Sequence, residues 1–521
     1  MASDSEPREH HLALAELVQS LAREGVTVTG TGDLATRVGG VTLDSRRVQR
    51  GDLYAALPGA HGHGAAYWQQ AREAGAVAVV TDADGAGRVA TDVPVLVVPE
   101  VRPVLGRLSA LVYGEPAARL TMIGVTGTQG KTTTTRLLES GLSGAGVPAA
   151  VIGTVGTRIL GEDVSSVLTT PEAPDLHRLL RRMVDAGVEA CAMEVSSHAL
   201  VMGRVGGVVF DVAVFLNLGR DHLDFHRDMD DYFEAKARLF DKEHSTRGLV
   251  DVDDEWGRRL LDQAAVPVGT LSVTGDADWW VSDVEPSPTG TRFRAHGPGV
   301  DVEAGVPIPG GFNVANTLAA VASAATAGYD PRAVASAIAA GPGVPGRFER
   351  VDVGQDFAVI VDFAHKPDAV AAALATLRPV TRGRLIVVLG AGGDRDPGKR
   401  PVMGEIAARD ADLFVVTDDN PRSEDPVLVR RAILDGAMGA DGRAEVVEIG
   451  DRRAAIAEAV RRADAGDVVL VAGKGHETGQ EVAGVTHPFD DRVVAREELS
   501  RQLGPEPGQE PGHEPGQERG R

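Results

Sequence analysis

The stretch Met122–Arg136, MIGVTGTQGKTTTTR, constrains this chain more than any other. An apolar run from Leu120 to Val125 reads as a buried strand, glycine breaks it, and Lys131 opens a threonine series suited to a helix start. Strand, glycine-rich turn and helix in that order build a phosphate cradle. Gly127 and Gly130 let backbone N–H groups turn toward an anion, Lys131 adds a point charge, and the Thr132 hydroxyl can hold a metal ion at the helix N-terminus. The spacing departs from G-x-x-x-x-G-K-[ST], which would need glycine where Val125 stands; Gly124 comes one residue early. A glycine turn with an exposed lysine is the bland alternative, and the preceding strand and repeated glycines weigh against it. A nucleoside triphosphate is therefore the expected ligand.

At 521 residues the chain is too long for one core, so two to four domains are expected. Acidic residues outnumber basic ones, 75 to 53, for a net charge of −22, which argues against nucleic acid as a partner and requires phosphate binding to be built locally. Cys191 is the single cysteine, which excludes an intramolecular disulfide and a zinc site of several thiolates. The N-terminal MASDSEPREHH is polar and acidic, and no apolar run approaches membrane-spanning length, so a soluble cytoplasmic protein without membrane insertion is expected.

Residues 1–118 alternate short apolar runs with helix-like stretches, such as AVAVVTD (Ala76–Asp82) after WQQAREAG, and read as a small α/β domain. Within it, Ser45, Arg46 and Arg47 stand beside a glycine turn that can clasp a phosphorylated ligand, although a solvated turn explains them as well. Residues 119–340 carry the cradle and further strand candidates at Ala149–Ile152, Ala190–Val195 and Val208–Leu216, implying a mostly parallel sheet whose ligands gather at the strands' C-terminal ends. Glu194 falls at such an end, as do Asn217 and the run GRDHLDFH with Asp221, His222, Asp224 and His226. An acid at a strand end with a nearby histidine suits magnesium on a triphosphate better than zinc. The next segment, Asp231–Phe240, reads as a helix with one apolar side and Lys236 near its middle, where a lysine is ordinarily solvated.

Residues 341–502 read as a second doubly wound domain, with strand candidates Ala358–Phe363, Leu385–Leu389, Leu413–Thr417 and Val468–Val471. Polar loops follow each of them: DFAHKPD, GAGGDRDPGKR, DDNPRSED and GKGHE. Four such loops at one sheet edge would converge on a single site. The remaining 503–521 repeats E-P-G-x without an apolar anchor and is expected to be disordered.

Taken in order, TGTQGKTTT, EVSSHAL, NLGRDHLDFH, YFEAKARLF, GRFERVD and GKGHE resemble the Mur ligases of bacterial cell-wall synthesis, ATP-dependent enzymes that join an amino acid to a UDP-N-acetylmuramoyl peptide. The likeness runs from about Asp44 to about Arg492, and the DSR segment, GGDRDPGKRP and DNPR point to the branch acting on UDP-N-acetylmuramoyl-L-alanyl-D-glutamate. It implies three α/β domains: a small N-terminal substrate domain, a central P-loop doubly wound ATPase domain and a C-terminal Rossmann-like domain. The implied reaction activates the glutamate side-chain carboxylate as an acyl phosphate at the expense of ATP, after which the incoming amine displaces phosphate.

Carried over by residue, the resemblance implies that Gly127, Thr128, Gln129, Gly130, Lys131, Thr132 and Thr133 hold the triphosphate. Thr132 and Glu194 would bind one Mg2+ and His222 a second. Lys236 would be carbamylated by CO2 and so become an anionic oxygen ligand. Lys131, Lys236 and His222 are then the catalytic set. Asn316, Arg347 and Asp362 would contact the nucleotide, the last two closing the C-terminal domain over the cradle. The UDP-muramoyl dipeptide would lie against Ser45, Arg46, Thr169, Thr170, Ser196 and Arg204. Arg395, Asp419, Asn420, Pro421, Arg422, Gly473 and Glu477 would hold the amino acid, and the planar fork of Arg422 suits the second carboxylate of diaminopimelate rather than lysine. A monomer is expected. Two features depart from the family pattern: GAHGHGAAY (Gly59–Tyr67) replaces its usual D-G, and Lys366 stands where a small hydroxyl residue is common. Folylpolyglutamate synthase or the pentapeptide-forming ligase shares the ATP motifs, and a nucleotide-gated switch protein would share the cradle.

Overall fold

A computed structural model of the chain describes residues 11–59, 62–89, 92–164, 168–287 and 290–503. The expectation of a disordered tail falls on residues outside that set, except that Leu503 ends the helix Asp491–Leu503. The described residues belong to two compact units, one made of Met1–Val284, Arg292–Val306 and Phe312–Gly341, the other of Glu285–Thr291, Pro307–Gly311 and Pro342–Arg521.

The first unit contains two sheets. The smaller orders its strands Thr29–Thr31, Val95–Val97, Ala78–Thr81, Asp52–Ala55 and Gly40–Thr42, parallel except for the first pair. The larger orders Glu162–Val164, Thr157–Ile159, Ala149–Ile152, Ala190–Glu194, Thr121–Thr126, Val212–Phe215, Gly248–Asp251 and Val268–Leu271. Its six last-named strands are parallel, and the first two form an antiparallel edge. Their continuous apolar runs are what a sheet covered by helices on both faces requires; Ala149–Ile152 and Val212–Phe215 are buried along their whole length. The third strand candidate is shorter than the sequence suggests, Val212–Phe215 rather than Val208–Leu216, because Phe210 makes only an isolated bridge with Ser245. Strand Thr121–Thr126 has Ala190–Glu194 on one side and Val212–Phe215 on the other, so the strand order reverses about it. Ligands of open α/β sheets bind at that reversal.

The second unit is built on a six-stranded sheet ordered Glu349–Val351, Ala358–Asp362, Val468–Ala472, Leu385–Leu389, Leu413–Val416 and Glu445–Glu448, parallel but for its first strand. Leu385–Leu389 and Val468–Ala472 are buried throughout and form its centre. Among the described residues no helix is long and apolar enough to cross a membrane.

Candidate active site

The cradle forms as the sequence dictates. Strand Thr121–Thr126 ends at Gly127 (φ +154°), Gly130 adopts φ +84°, and the helix Lys131–Gly144 begins directly after it. A Cβ on Gly130 would lie 2.3 Å from Asn316 Oδ1, so glycine is required there by backbone conformation and by space alike. Asn316 belongs to the same unit, and its Oδ1 accepts from the Thr134 hydroxyl at 3.3 Å. The loop is also tied to the neighbouring strand end: Asn217 Oδ1 accepts from Gln129 N at 2.9 Å, and Thr128 Oγ1 accepts from Gly219 N at 2.9 Å.

Two lysines converge on one carbonyl. Lys131 Nζ donates to Gly127 O at 2.7 Å, and Lys236 Nζ donates to the same oxygen at 2.9 Å. Lys236 is not the solvated helix lysine its local sequence suggests. It is 1% exposed, on the helix Met229–Ala237, with its ammonium 4.6 Å from the Tyr232 ring centroid. Burial, reinforced by the charge of Lys131, pushes its pKa well below the ordinary lysine value. That direction favours the uncharged amine over the ammonium.

The Asp/His run divides in two. His226 turns inward, its Nε2 2.9 Å from Ser197 Oγ and its Nδ1 3.3 Å from Asp231 Oδ2, so it braces the loop rather than serving a metal. His222 sits at φ +54° with its side chain 43% exposed and its Nε2 3.7 Å from Asp221 Oδ2. Among the described residues no group of three or more His, Cys, Asp or Glu side chains could hold a metal ion, and the expected metal set contains only two such residues, Glu194 and His222.

Glu194, at the C-terminal end of its strand, is 1% exposed. Its Oε1 accepts from Thr154 N at 2.8 Å and its Oε2 from Thr154 Oγ1 at 3.1 Å, and a Cβ on Gly153 would meet Oε1 at 2.2 Å. A buried carboxylate oriented by hydroxyl and amide donors, on the strand paired with the one that leads into the Thr132 helix, is the oxygen-donor chemistry that Mg2+ takes. Thr154 Oγ1 also lies 3.1 Å from Thr169 Oγ1, while Thr170 donates to Glu194 O at 2.8 Å and accepts from Ser196 N at 3.3 Å. Arg204 donates to Thr170 O at 3.3 Å and pairs with Glu172 at 2.9 Å. These substrate candidates thus form one connected patch with the metal candidate. Ser45 stands apart from it, nearly buried, donating to Gln70 Oε1 at 2.8 Å. Arg46 is exposed and gripped by Asp44 through two bonds of 2.8 Å.

In the second unit the four polar loops do meet. Asp362 accepts from Phe348 N and Ala364 N, each at 2.9 Å, and burial raises its pKa; its backbone carbonyl accepts from Gly473 N at 3.1 Å. The Arg347 guanidinium lies 4.7 Å from the Phe363 ring centroid. Gly473 (φ +118°) packs against Asp419, whose Oδ2 would stand 2.4 Å from a Cβ. Arg422 (φ +52°) donates to Gly393 O at 2.6 Å and lies 3.4 Å from Glu481 Oε2, and Pro421 O abuts Gly393. Asn420 donates to Glu477 Oε2 at 2.9 Å. Arg395 is exposed on the loop after Leu385–Leu389. Sequence reasoning passed over Thr154, which a lone threonine in a glycine turn does not advertise, and Lys474, the lysine of GKGHE.

Three family models match consecutive stretches of the chain: Mur ligase family, catalytic domain, at residues 37–113; Mur ligase middle domain at 125–324; and Mur ligase, glutamate ligase domain, at 346–475. A relative from Streptomyces avermitilis, named UDP-N-acetylmuramoyl-L-alanyl-D-glutamate--2,6-diaminopimelate ligase, is 53% identical over 96% of this chain and 99% of its own length. A relative of the same name from Corynebacterium glutamicum is 48% identical over 94% of this chain and 98% of its own. A solved structure bearing that name superposes with a TM-score of 0.71 at 33% identity, covering 95% of this chain and all of that one (100%).

Proposed function

The chain belongs to the Mur ligase family, and from that membership we propose that it adds diaminopimelate to UDP-N-acetylmuramoyl-L-alanyl-D-glutamate, consuming ATP, in peptidoglycan synthesis. The observation that carries this reading is the near-full-length likeness, at 53% identity, to an enzyme named for the reaction. The glutamate side-chain carboxylate takes the γ-phosphoryl group of ATP, giving an acyl phosphate and ADP. The amine of diaminopimelate then forms the amide bond as phosphate leaves with the C–O bond pair, and the amine proton passes to solvent.

Each group of residues has a part in that sequence. The backbone N–H groups of Gly127–Thr133 and the Lys131 ammonium cradle the triphosphate, so that positioning and charge neutralisation supply the catalysis. Thr132, Glu194, His222 and a carbamate on Lys236 would hold Mg2+, which would neutralise phosphate charge when bound. The burial of Lys236 and the nearby charge of Lys131, which together lower its pKa, support that carbamate. Ser45, Arg46, Thr169, Thr170, Ser196 and Arg204 take the muramoyl dipeptide, while Asn316, Arg347 and Asp362 meet the nucleotide. Arg395, Asp419, Asn420, Pro421, Arg422, Gly473 and Glu477 take the diaminopimelate. We divide the chain for these tasks at residues 118, 340 and 502, in keeping with the matched stretches 37–113, 125–324 and 346–475. All of these groups lie on one chain, and the reading is of a monomer working in the cytoplasm, where ATP and UDP-sugars are made.

The test is phosphate release by purified protein with ATP, Mg2+ and UDP-N-acetylmuramoyl-L-alanyl-D-glutamate, offering lysine, meso-diaminopimelate and LL-diaminopimelate separately. Release with one diaminopimelate isomer and not with lysine is expected. Release with lysine alone would overturn the choice of amino acid, and release without any amine would point to a nucleotide switch.

A further inference from the structure

In the second unit one lysine is wholly withdrawn from water. Lys474 is 0% exposed, a state that costs several kcal/mol for an ammonium unless every donor finds a partner. It follows Gly473, just beyond the strand Val468–Ala472, while Asn420 comes from the loop after Leu413–Val416. Lys474 Nζ donates to Asn420 Oδ1 at 2.9 Å and to Glu477 Oε2 at 3.0 Å. Asn420 Oδ1 takes a second bond from Glu481 N at 3.0 Å, and Asn420 Nδ2 donates to Glu477 Oε2 at 2.9 Å.

This triangle has one consistent arrangement. Two donors point at Asn420 Oδ1, so the amide cannot flip without setting its NH2 against an ammonium and a backbone N–H. With the flip fixed, Nδ2 must face Glu477, and Glu477 Oε2 is saturated by two donors from the protein. The other carboxylate oxygen is left to the site, on a side chain 35% exposed.

We propose that Lys474 is a positioning residue for the amino-acid substrate: from beneath the site it fixes the orientation of Asn420 and Glu477, so that these two present a set geometry to the ammonium and carboxylate groups of a diamino dicarboxylic acid. The proposal rests on the reading of this loop cluster as the diaminopimelate site. It assigns to a residue that does not touch substrate a share in selecting it. Removing the ammonium leaves Glu477 short of one donor and lets Asn420 rotate, which weakens grip on the amino acid while the phosphate cradle in the other unit is untouched.

The experiment is steady-state kinetics of Lys474→Met, which keeps the length and apolar stem of the side chain. The KM for diaminopimelate should rise at least about tenfold, with the KM for ATP and kcat at saturating amino acid within about twofold of the parent. A double-mutant cycle with Glu477→Gln separates positioning from bulk stability: once Glu477 is neutral, Lys474→Met should cost markedly less in diaminopimelate KM. Should Lys474→Met fail to fold, the double variant removes both charges together and carries the comparison against Glu477→Gln alone. Equal losses for ATP and diaminopimelate, or additive effects in the cycle, would overturn the proposal. A parent enzyme that turns over without diaminopimelate would instead overturn the reading beneath it.

Discussion

At the scale of single residues, the decisive fact about this chain is that a lysine with an ordinary local sequence is buried against a glycine carbonyl far away in sequence. Lys236 and Gly127 are 109 residues apart, and only the tertiary fold brings the second lysine beside Lys131. Removing that amine should abolish most turnover: Lys236→Ala is expected to lose about two to three orders of magnitude in kcat, with folding retained, because the proposed carbamate, an anionic ligand for metal and phosphate, would be lost with it. Added formate or acetate should restore part of the rate, since a short carboxylate fits the space where the carbamate would stand. An alanine variant with parental kcat would remove Lys236 from the catalytic set. In the sequence, periodicity gave this helix an apolar side, and it extends over Met229–Ala237; burial of its one lysine was not legible, because a partner on another element leaves no trace in local spacing.

At the scale of elements, the phosphate loop is the piece most completely written in its own residues. Gly130 needs both a positive φ and the absence of a side chain beside Asn316, so Gly130→Ala should fail twice, through strain at φ +84° and through displacement of the Asn316 amide. A loss of about 1–3 kcal/mol in stability, read by chemical denaturation, and a KM for ATP raised at least about tenfold are expected. Parental values for both would show that the loop relaxes without cost. The strands flanking such loops were legible because a sheet buried on both faces demands unbroken apolar runs, as in Ala149–Ile152 and Leu385–Leu389. The largely exposed strand Trp280–Ser287 and the short edge strands Thr157–Ile159 and Glu162–Val164 carry no such run and were invisible. The site loops were legible as a set, yet which side chains would meet within them was not: DNPR advertised Arg422, while the lysine that orients Asn420 sits in a different motif.

At the scale of the whole molecule, a net charge of −22 means that many carboxylates decide how stability answers to pH. They divide by environment. Asp44 and Asp412, held by arginines and backbone donors, have lowered pKa values and support the fold above the unfolded-state value, losing that support as acid protonates them. Asp251, at the end of the strand Gly248–Asp251, goes the other way. Burial, with Asp253 and Asp254 close by, raises its pKa from 3.8 to about 7, despite a 2.9 Å bond from Asp253 N. The folded protein therefore binds a proton here that the unfolded chain releases between pH 4 and 7, so stability from this group falls as pH rises through that window and levels off above it. Asparagine keeps the acceptor for Asp253 N and removes the charge. Asp251→Asn should thus be stabilising, by a margin that grows from pH 4 to about 7 and is then constant, reaching on the order of 2–4 kcal/mol. Thermal unfolding of parent and variant in parallel across that range measures it. A difference that stayed flat with pH would show that Asp251 is ionised in the folded protein at the same pH as in the unfolded one, and that the charge beside the strand end is solvated after all.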